Sequence, residues 1–410
     1  MNRILWLVGT WIVLSYCMPQ LAKAQKSIKI KGNVIDIDSG LPLAFATISI
    51  SGSHAGVVTN SSGAFEFSFP KKYQDDSIKI STVGYYVLII PVKDVLKENQ
   101  LQFALKNQII VLEEVVVTNK EISAEEILKL AIKNIKNNYP NGPFELKLFY
   151  RDYKIEDGKC VSLFEAAATV YDKGYPRQSP EKVTLNHVRK SLTGEFKYHG
   201  FMIMNTMREL LRMNDVRYVS RALKWKKNNY AISIEGYESI GDRLVYKIKA
   251  LNDWKFYFYV DIENYAIRKM ELDYVWLDGV AENKWSCGDT IKHEQRWAKE
   301  ILEFQEVDGK LYPRYHNFNS SGMDYDLHSG DFLFEHEIFQ EYLVNEVNTN
   351  PTVKPEKNSL LDPHEIIENQ ESNYDRDFWE NYNIVKLNPT RRQLLEELEE
   401  NQLMGKQFDK

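Results

Sequence analysis

Arg151, Asp152, Glu165 and Asp172 could gather carboxylates and a guanidinium in one place. A carboxyl group among apolar neighbours resists ionisation, so it can serve as a general acid or base, or grip a ligand. Glu165 is the sharpest case, flanked by Phe164 on one side and Ala166-Ala167-Ala168 on the other. A strand carboxylate that points to solvent, or that pairs with Arg151, would give the same pattern and is the simpler expectation. The run Trp254-Lys255-Phe256-Tyr257-Phe258-Tyr259-Val260 is the second candidate. Trp254, Tyr257 and Tyr259 could line a groove for a lipid, sugar or peptide, although core packing accounts for the run more simply. The candidate ligand-binding set is therefore Glu165, Arg151, Trp254, Tyr257 and Tyr259, with no catalytic residue assigned.

Other chemistry finds little footing. His364-Glu365-Ile366-Ile367-Glu368 lacks the second His of a zinc-peptidase helix. The remaining histidines, His54, His187, His199, His293, His316, His328 and His336, are scattered, so no metal site is expected and no cofactor is assigned. Gly52-Ser53-His54-Ala55-Gly56 has the glycines of a nucleophile elbow but a misplaced Ser, and no phosphate loop or dinucleotide fingerprint occurs. Cys160 and Cys287 could pair in an oxidising compartment, stabilising by roughly 4–5 kcal/mol. Two separate buried thiols are the expected arrangement.

The first residues carry their own signal. Arg3, the apolar run Ile4 to Leu14 and the small-residue site Ala22-Lys23-Ala24 read as a secretory signal peptide spanning residues 1–24. Cleavage is expected before Gln25. Cys17 follows Tyr16, where a lipidation signal wants a small residue, so lipidation is not expected. No apolar stretch approaches the roughly 20 residues of a membrane span. The chain carries 52 basic and 58 acidic residues, a net charge of −6, which leaves no electrostatic footprint for nucleic acid.

The elements that would position these side chains are mainly strands. In residues 25–119, Ile28, Ile30 and Val34, then Ala46, Ile48 and Ile50, then Phe65, Phe67 and Phe69 alternate with polar residues, as half-buried strands do. Asp38-Ser39-Gly40 and Asn60-Ser61-Ser62-Gly63 punctuate them as turns. Ser123-Ala124-Glu125-Glu126 is a capping box that opens a linking helix within residues 120–142. Alternation returns over residues 143–347, predicting a larger curved antiparallel sheet, broken by a helix near Phe201 to Met213. Residues 348–410 read as a polar linker and a last helix opened by Asn388-Pro389, with Glu396-Glu397 and Glu399-Glu400 on its solvated face.

The front segment resembles the carboxypeptidase regulatory-like domain, a transthyretin-type β-sandwich. Gly32-Asn33-Val34-Ile35-Asp36, Ser39-Gly40-Leu41-Pro42-Leu43, Gly63-Ala64-Phe65 and Ile80-Ser81-Thr82-Val83-Gly84-Tyr85 carry the resemblance. Val111-Leu112-Glu113-Glu114-Val115-Val116-Val117-Thr118 is similar to the strand that follows this module in TonB-dependent outer-membrane receptors, yet no barrel follows here. The Phe149-Tyr150-Arg151 and Tyr259-Val260-Asp261 patterns are similar to gram-negative envelope proteins that carry a domain of unassigned function. A looser likeness is to the half-barrel of lipoprotein carriers. These resemblances imply an exported, non-catalytic protein of the periplasm or the periplasmic face of the outer membrane. It would bind an envelope protein or a glycan or lipid ligand. A periplasmic hydrolase with a carboxylate-based site, or an accessory of TonB-dependent uptake, remains the alternative.

Overall fold

A computed structural model describes residues 27–400 apart from 54, 99, 109–121, 176–180, 194–196, 198–205, 213–215, 218–229, 253, 276–283, 288–289 and 363. The signal segment and the valine-rich stretch Val111 to Thr118 lie outside the described residues. Among the described residues, no helix is long and apolar enough to cross a membrane.

Among the described residues, seven strands build the front module: β1 (Ser27–Asp36), β2 (Thr47–Ile50), β3 (Gly56–Val58), β4 (Ala64–Pro70), β5 (Ser77–Ser81), β6 (Leu88–Pro91) and β7 (Leu101–Leu105). They form two sheets, ordered β4-β1-β7 and β3-β2-β5-β6. The alternation seen in the sequence sets their packing. Ile30, Val34, Phe65, Phe67 and Phe69 from the first sheet meet Ile48, Ile50, Ile78 and Ile80 from the second. Phe65 stacks on Phe103 at 5.6 Å. Two glycines do specific work. A side chain at Gly32 would strike the Leu101 carbonyl across the β1–β7 pair, and Gly63 holds φ at 73° in the β3–β4 turn.

The larger part is, among the described residues, one eleven-stranded antiparallel sheet. Its strands are β8 (Phe144–Glu156), β9 (Lys159–Asp172), β10 (Lys182–Leu192), β11 (Ala231–Ile240), β12 (Arg243–Leu251), β13 (Lys255–Asp261), β14 (Ile267–Val275), β15 (Lys284–Cys287), β16 (Ile291–Val307), β17 (Lys310–Asp326) and β18 (Phe332–Asn348). Ten of them run in the order β10-β9-β8-β18-β17-β16-β14-β13-β12-β11, with β15 attached to β16. The long strands β16 to β18 thus fill the gap between two earlier meanders, and β18 closes the sheet against β8.

Each face of this sheet is covered over part of its extent. The capped helix Ala124–Lys133 packs on β11 and β13 and buries Ile127, Leu128 and Ala131 in the same core that holds Leu148, Tyr150, Ala166, Ala168 and Tyr342. The predicted break in alternation holds the helix Thr206–Arg212, with Met207 and Leu210 buried in the same core. Phe149, Ala167, Tyr315 and Leu343 turn the other way and join the core of the sandwich.

The tail ties the two together. Trp379, in the helix Arg376–Asn381, and Val385 enter the sandwich core. Asn383 exchanges side-chain hydrogen bonds with the Ser68 backbone at 2.8 and 2.9 Å. Leu361 and Asn373 of the tail lie beside the edge strand β10, their amides donating to the carbonyls of Val183 and Val188, which shields part of an edge that would otherwise invite pairing. The last helix, Pro389–Glu400, is capped by Asn388, whose side chain accepts from the Arg391 amide at 2.9 Å. Glu399 departs from the expected solvated face: it is buried, whereas Glu396, Glu397 and Glu400 are exposed. The helix lies against β9, so this one carboxylate turns inward.

Candidate functional site

Arg151 and Glu165 meet because β8 and β9 form a hairpin. Asp157 and Gly158 make the turn with φ of 47° and 75°, and the register sets Arg151 directly opposite Glu165. Arg189 on β10 stands opposite Glu165 in turn, and Glu341 on β18 stands opposite Arg151. The result is a row of alternating charge across four strands: Arg189, Glu165, Arg151, Glu341.

All four side chains are buried, Arg151 and Glu165 to 1% exposure. The Arg151 Nε donates to Glu165 Oε1 at 2.6 Å, and its Nη1 donates to Glu341 Oε1 at 2.5 Å. The Arg189 Nε donates to Glu165 Oε2 at 2.7 Å, and the Tyr315 hydroxyl donates to Glu341 Oε2 at 2.8 Å. Trp379 caps the end of the row, with the Arg189 guanidinium 4.3 Å from its ring centre. Burial pushes the Glu165 carboxyl up, but the two guanidiniums beside it prevail and hold it below the usual carboxylate range. Burial also pushes Glu341 up, and there Arg151 and Tyr315 reduce the rise without reversing it.

A cleft of about 390 Å³ opens onto this row. Arg151, Glu165 and Arg189 form part of its floor. Lys29 and Glu66 of the sandwich and Tyr374, Trp379 and Tyr382 of the tail form its walls, with Leu395, Glu396 and Glu399 of the last helix. Sandwich, sheet and tail all contribute, so the cleft exists only when the three are assembled.

The other expected residues lie elsewhere. Asp152 faces the opposite side of the sheet, accepting hydrogen bonds from Tyr150 and Gln340, both at 3.1 Å. Asp172 pairs with Arg217 at 2.8 Å. The aromatic run divides by parity. Phe256 and Phe258 pack in or against the core, whereas Tyr257 and Tyr259 point the other way, into a lattice of lysines and carboxylates. Lys247 approaches the Tyr257 and Tyr259 rings at 5.4 and 5.7 Å, and the Tyr259 hydroxyl donates to Glu271 at 3.0 Å. Trp254 stacks on Tyr274 at 4.5 Å. None of these three lines the cleft. Cys160 is a buried free thiol, pushed up to about 12 chiefly by burial.

Sequence reasoning missed a second buried polar group. His293, Asp324 and His336 converge from β16, β17 and β18. The signal available was Gly322, a glycine in the interior of a long strand and two residues from Asp324.

Residues 30–117 match the family model of the CarboxypepD_reg-like domain, so the front module is a regulatory-like sandwich. No curated protein matches the chain. Among solved structures, the chain is similar to a LolA superfamily protein from Nitrosomonas europaea at 12% identity, covering 57% of this chain and 96% of that one, with a TM-score of 0.20. A domain described as an outer membrane lipoprotein-sorting protein, from Vibrio parahaemolyticus, matches at 10% identity over 57% and 96%, with a TM-score of 0.25. A membrane-associated protein of unknown function from Bacteroides fragilis matches at 11% identity over 78% and 98%, with a TM-score of 0.15.

Proposed function

We propose that this chain is a non-catalytic binding protein of the cell envelope, and that the cleft between sandwich, sheet and tail holds its ligand. The observation that carries the reading is the alternating charge row in the cleft floor. A hydrolase of the kind expected from Glu165 needs a carboxyl group that exchanges a proton during turnover. Glu165 instead accepts from two arginines and stays ionised. Glu341, whose carboxyl is raised, does not line the cleft. The floor therefore presents fixed charge, while Trp379, Tyr374 and Tyr382 present rings. Fixed charge beside aromatic faces suits a polar ligand, a glycan or an extended segment of a partner protein, better than an acyl chain. Export through the signal segment and residence at the periplasmic side of the envelope belong to the same proposal, supported by the leader motif and the regulatory-like sandwich.

A photoreactive residue at Glu396, on the rim, tests it in intact envelopes. A discrete adduct, protein or glycan, is expected from the unaltered cleft. That adduct should be lost when Trp379→Ala removes a wall, and retained when Tyr257→Ala alters the distant aromatic face. Equal adducts in all three backgrounds would dismiss the cleft as the binding site. A Glu165→Gln protein that melts like the parent yet loses cellular function would point back to catalysis.

A further inference from the structure

The polar group on β16 to β18 lies outside the cleft. The Asp324 carboxylate sits between two imidazoles, with His293 Nδ1 at 3.2 Å from one oxygen and His336 Nδ1 at 2.7 Å from the other. The rings stack with centres 4.9 Å apart. Exposure is 2% for His293, 0% for Asp324 and 4% for His336. One donor atom from each residue lies within 4.8 Å of the other two.

Gly322 makes this convergence possible. A Cβ there would lie 2.3 Å from His293 Cε1 and 3.0 Å from His336 Cε1. The glycine has no positive φ to explain it, and glycine in a strand interior weakens the strand. Its service here is the space into which both rings lean. A carboxylate that merely needed two hydrogen bonds could take them from amides or hydroxyls. Here both oxygens are given to imidazole nitrogens from the two flanking strands.

We propose that His293, Asp324 and His336 bind one divalent transition-metal ion of the zinc type. Two neutral imidazoles and one carboxylate are the donors such ions favour. Each imidazole would bind through Nδ1 and keep its proton on Nε2. Metal–ligand bonds of about 2.1 Å separate tetrahedral donors by about 3.4 Å, so the two Nδ1–carboxylate contacts of 3.2 and 2.7 Å would open slightly while the donors, all within 4.8 Å of one another, regroup around the ion. Three protein ligands leave a coordination position for water or a further ligand. The ion would also clamp the three longest strands near the turn between β17 and β18.

The test uses the full chain from Gln25, stripped with a chelator and titrated with Zn²⁺ against a chromophoric competitor. One equivalent should bind with a Kd below about 1 μM, and the melting temperature should rise. His336→Ala and the shape-preserving Asp324→Asn should weaken binding by at least ~100-fold, while the exposed His328→Ala should not change it. Less than about 0.1 equivalent bound would overturn the proposal, as would equal affinity in His336→Ala. If those variants fail to fold, Co²⁺ on the parent chain decides. Intense tetrahedral or five-coordinate visible bands support the site, and only the weak octahedral spectrum of the aqueous ion refutes it.

Discussion

Two regions of the same sheet carry rows of alternating charge, and they differ in solvent. In the cleft floor, the Arg151–Glu165 pair has side chains 2% and 1% exposed. On the outward face of β11 to β14, Lys247 pairs with Glu238 at 30% and 29%, and Lys255 with Asp273 at 35% and 33%. The two rows are built the same way, with opposite charges set against each other across strands, yet they obey different energetics. In water each pair contributes ~0–1 kcal/mol and salt screens it. Inside, pairing chiefly offsets the desolvation of its own members, so the row need add little net stability while its disruption is severe. Alternation of charge in a sequence therefore says nothing about its importance until burial is known.

Glu165→Gln tests the buried side most harshly. It leaves Arg151 and Arg189 facing a neutral amide in a water-excluded row, and a loss of about 3–5 kcal/mol is expected in urea denaturation. A loss below about 1 kcal/mol would break the comparison. The same residue sets an acid window. Its carboxyl titrates lower in the folded chain than its ordinary 4.5, so its stabilisation is complete above that value. It is lost as pH falls through the depressed folded value. The gap between parent and Glu165→Gln should therefore close on acidification below about pH 4.5 and stay constant from pH 6 to 8.

Trp379→Ala comes next. The indole touches Phe149 edge-on at 6.4 Å and covers Arg189, linking tail, sheet and sandwich core. Because one side borders the cleft, the expected loss is about 3 kcal/mol, at the lower end for a buried tryptophan. Calorimetry should also show the last helix loosening first, since its contacts are made through the same junction. A change under about 1 kcal/mol would mean that the tail merely rests on the sheet.

How much of this was legible beforehand depended on sequence distance. The sandwich core followed from the alternation of Ile48, Phe65 and Phe67, and the linking helix from the capping box at Ser123. The Arg151–Glu165 pair was legible in outline because the two residues flank Asp157-Gly158 at nearly equal spacing; the register shift between Lys154 and Ile155 absorbs the one extra residue. Arg189 and Glu341 were not, because they reach the row only after the order of strands is known. That order inserts β18 beside β8 across a long excursion. Parity within β13 was readable, yet which parity faced the core was not: Phe256 and Tyr257 are both aromatic, and only the packed sheet separates them. The histidine–aspartate group lies on consecutive strands, and it was hidden because register shifts in the β16–β17 and β17–β18 pairs decide which residues stand side by side.

The smallest effect belongs to the outer row, and it sharpens the comparison most cleanly. Lys247 lies between the Tyr257 and Tyr259 rings and pairs with Glu238. Yet its ammonium is partly hydrated, so removing it exposes no unpaired buried charge, and water replaces what Glu238 loses. Its interactions with the rings are each worth ~0.5–1 kcal/mol at exposed sites, offset by the side-chain entropy that held them. Lys247→Gln should therefore change stability by no more than about 0.5 kcal/mol in 0.15 M salt, with a slightly larger loss at low ionic strength. A loss above about 2 kcal/mol would show that the outer lattice is sealed from water by something packed on it, and would move the search for a partner from the cleft to this face.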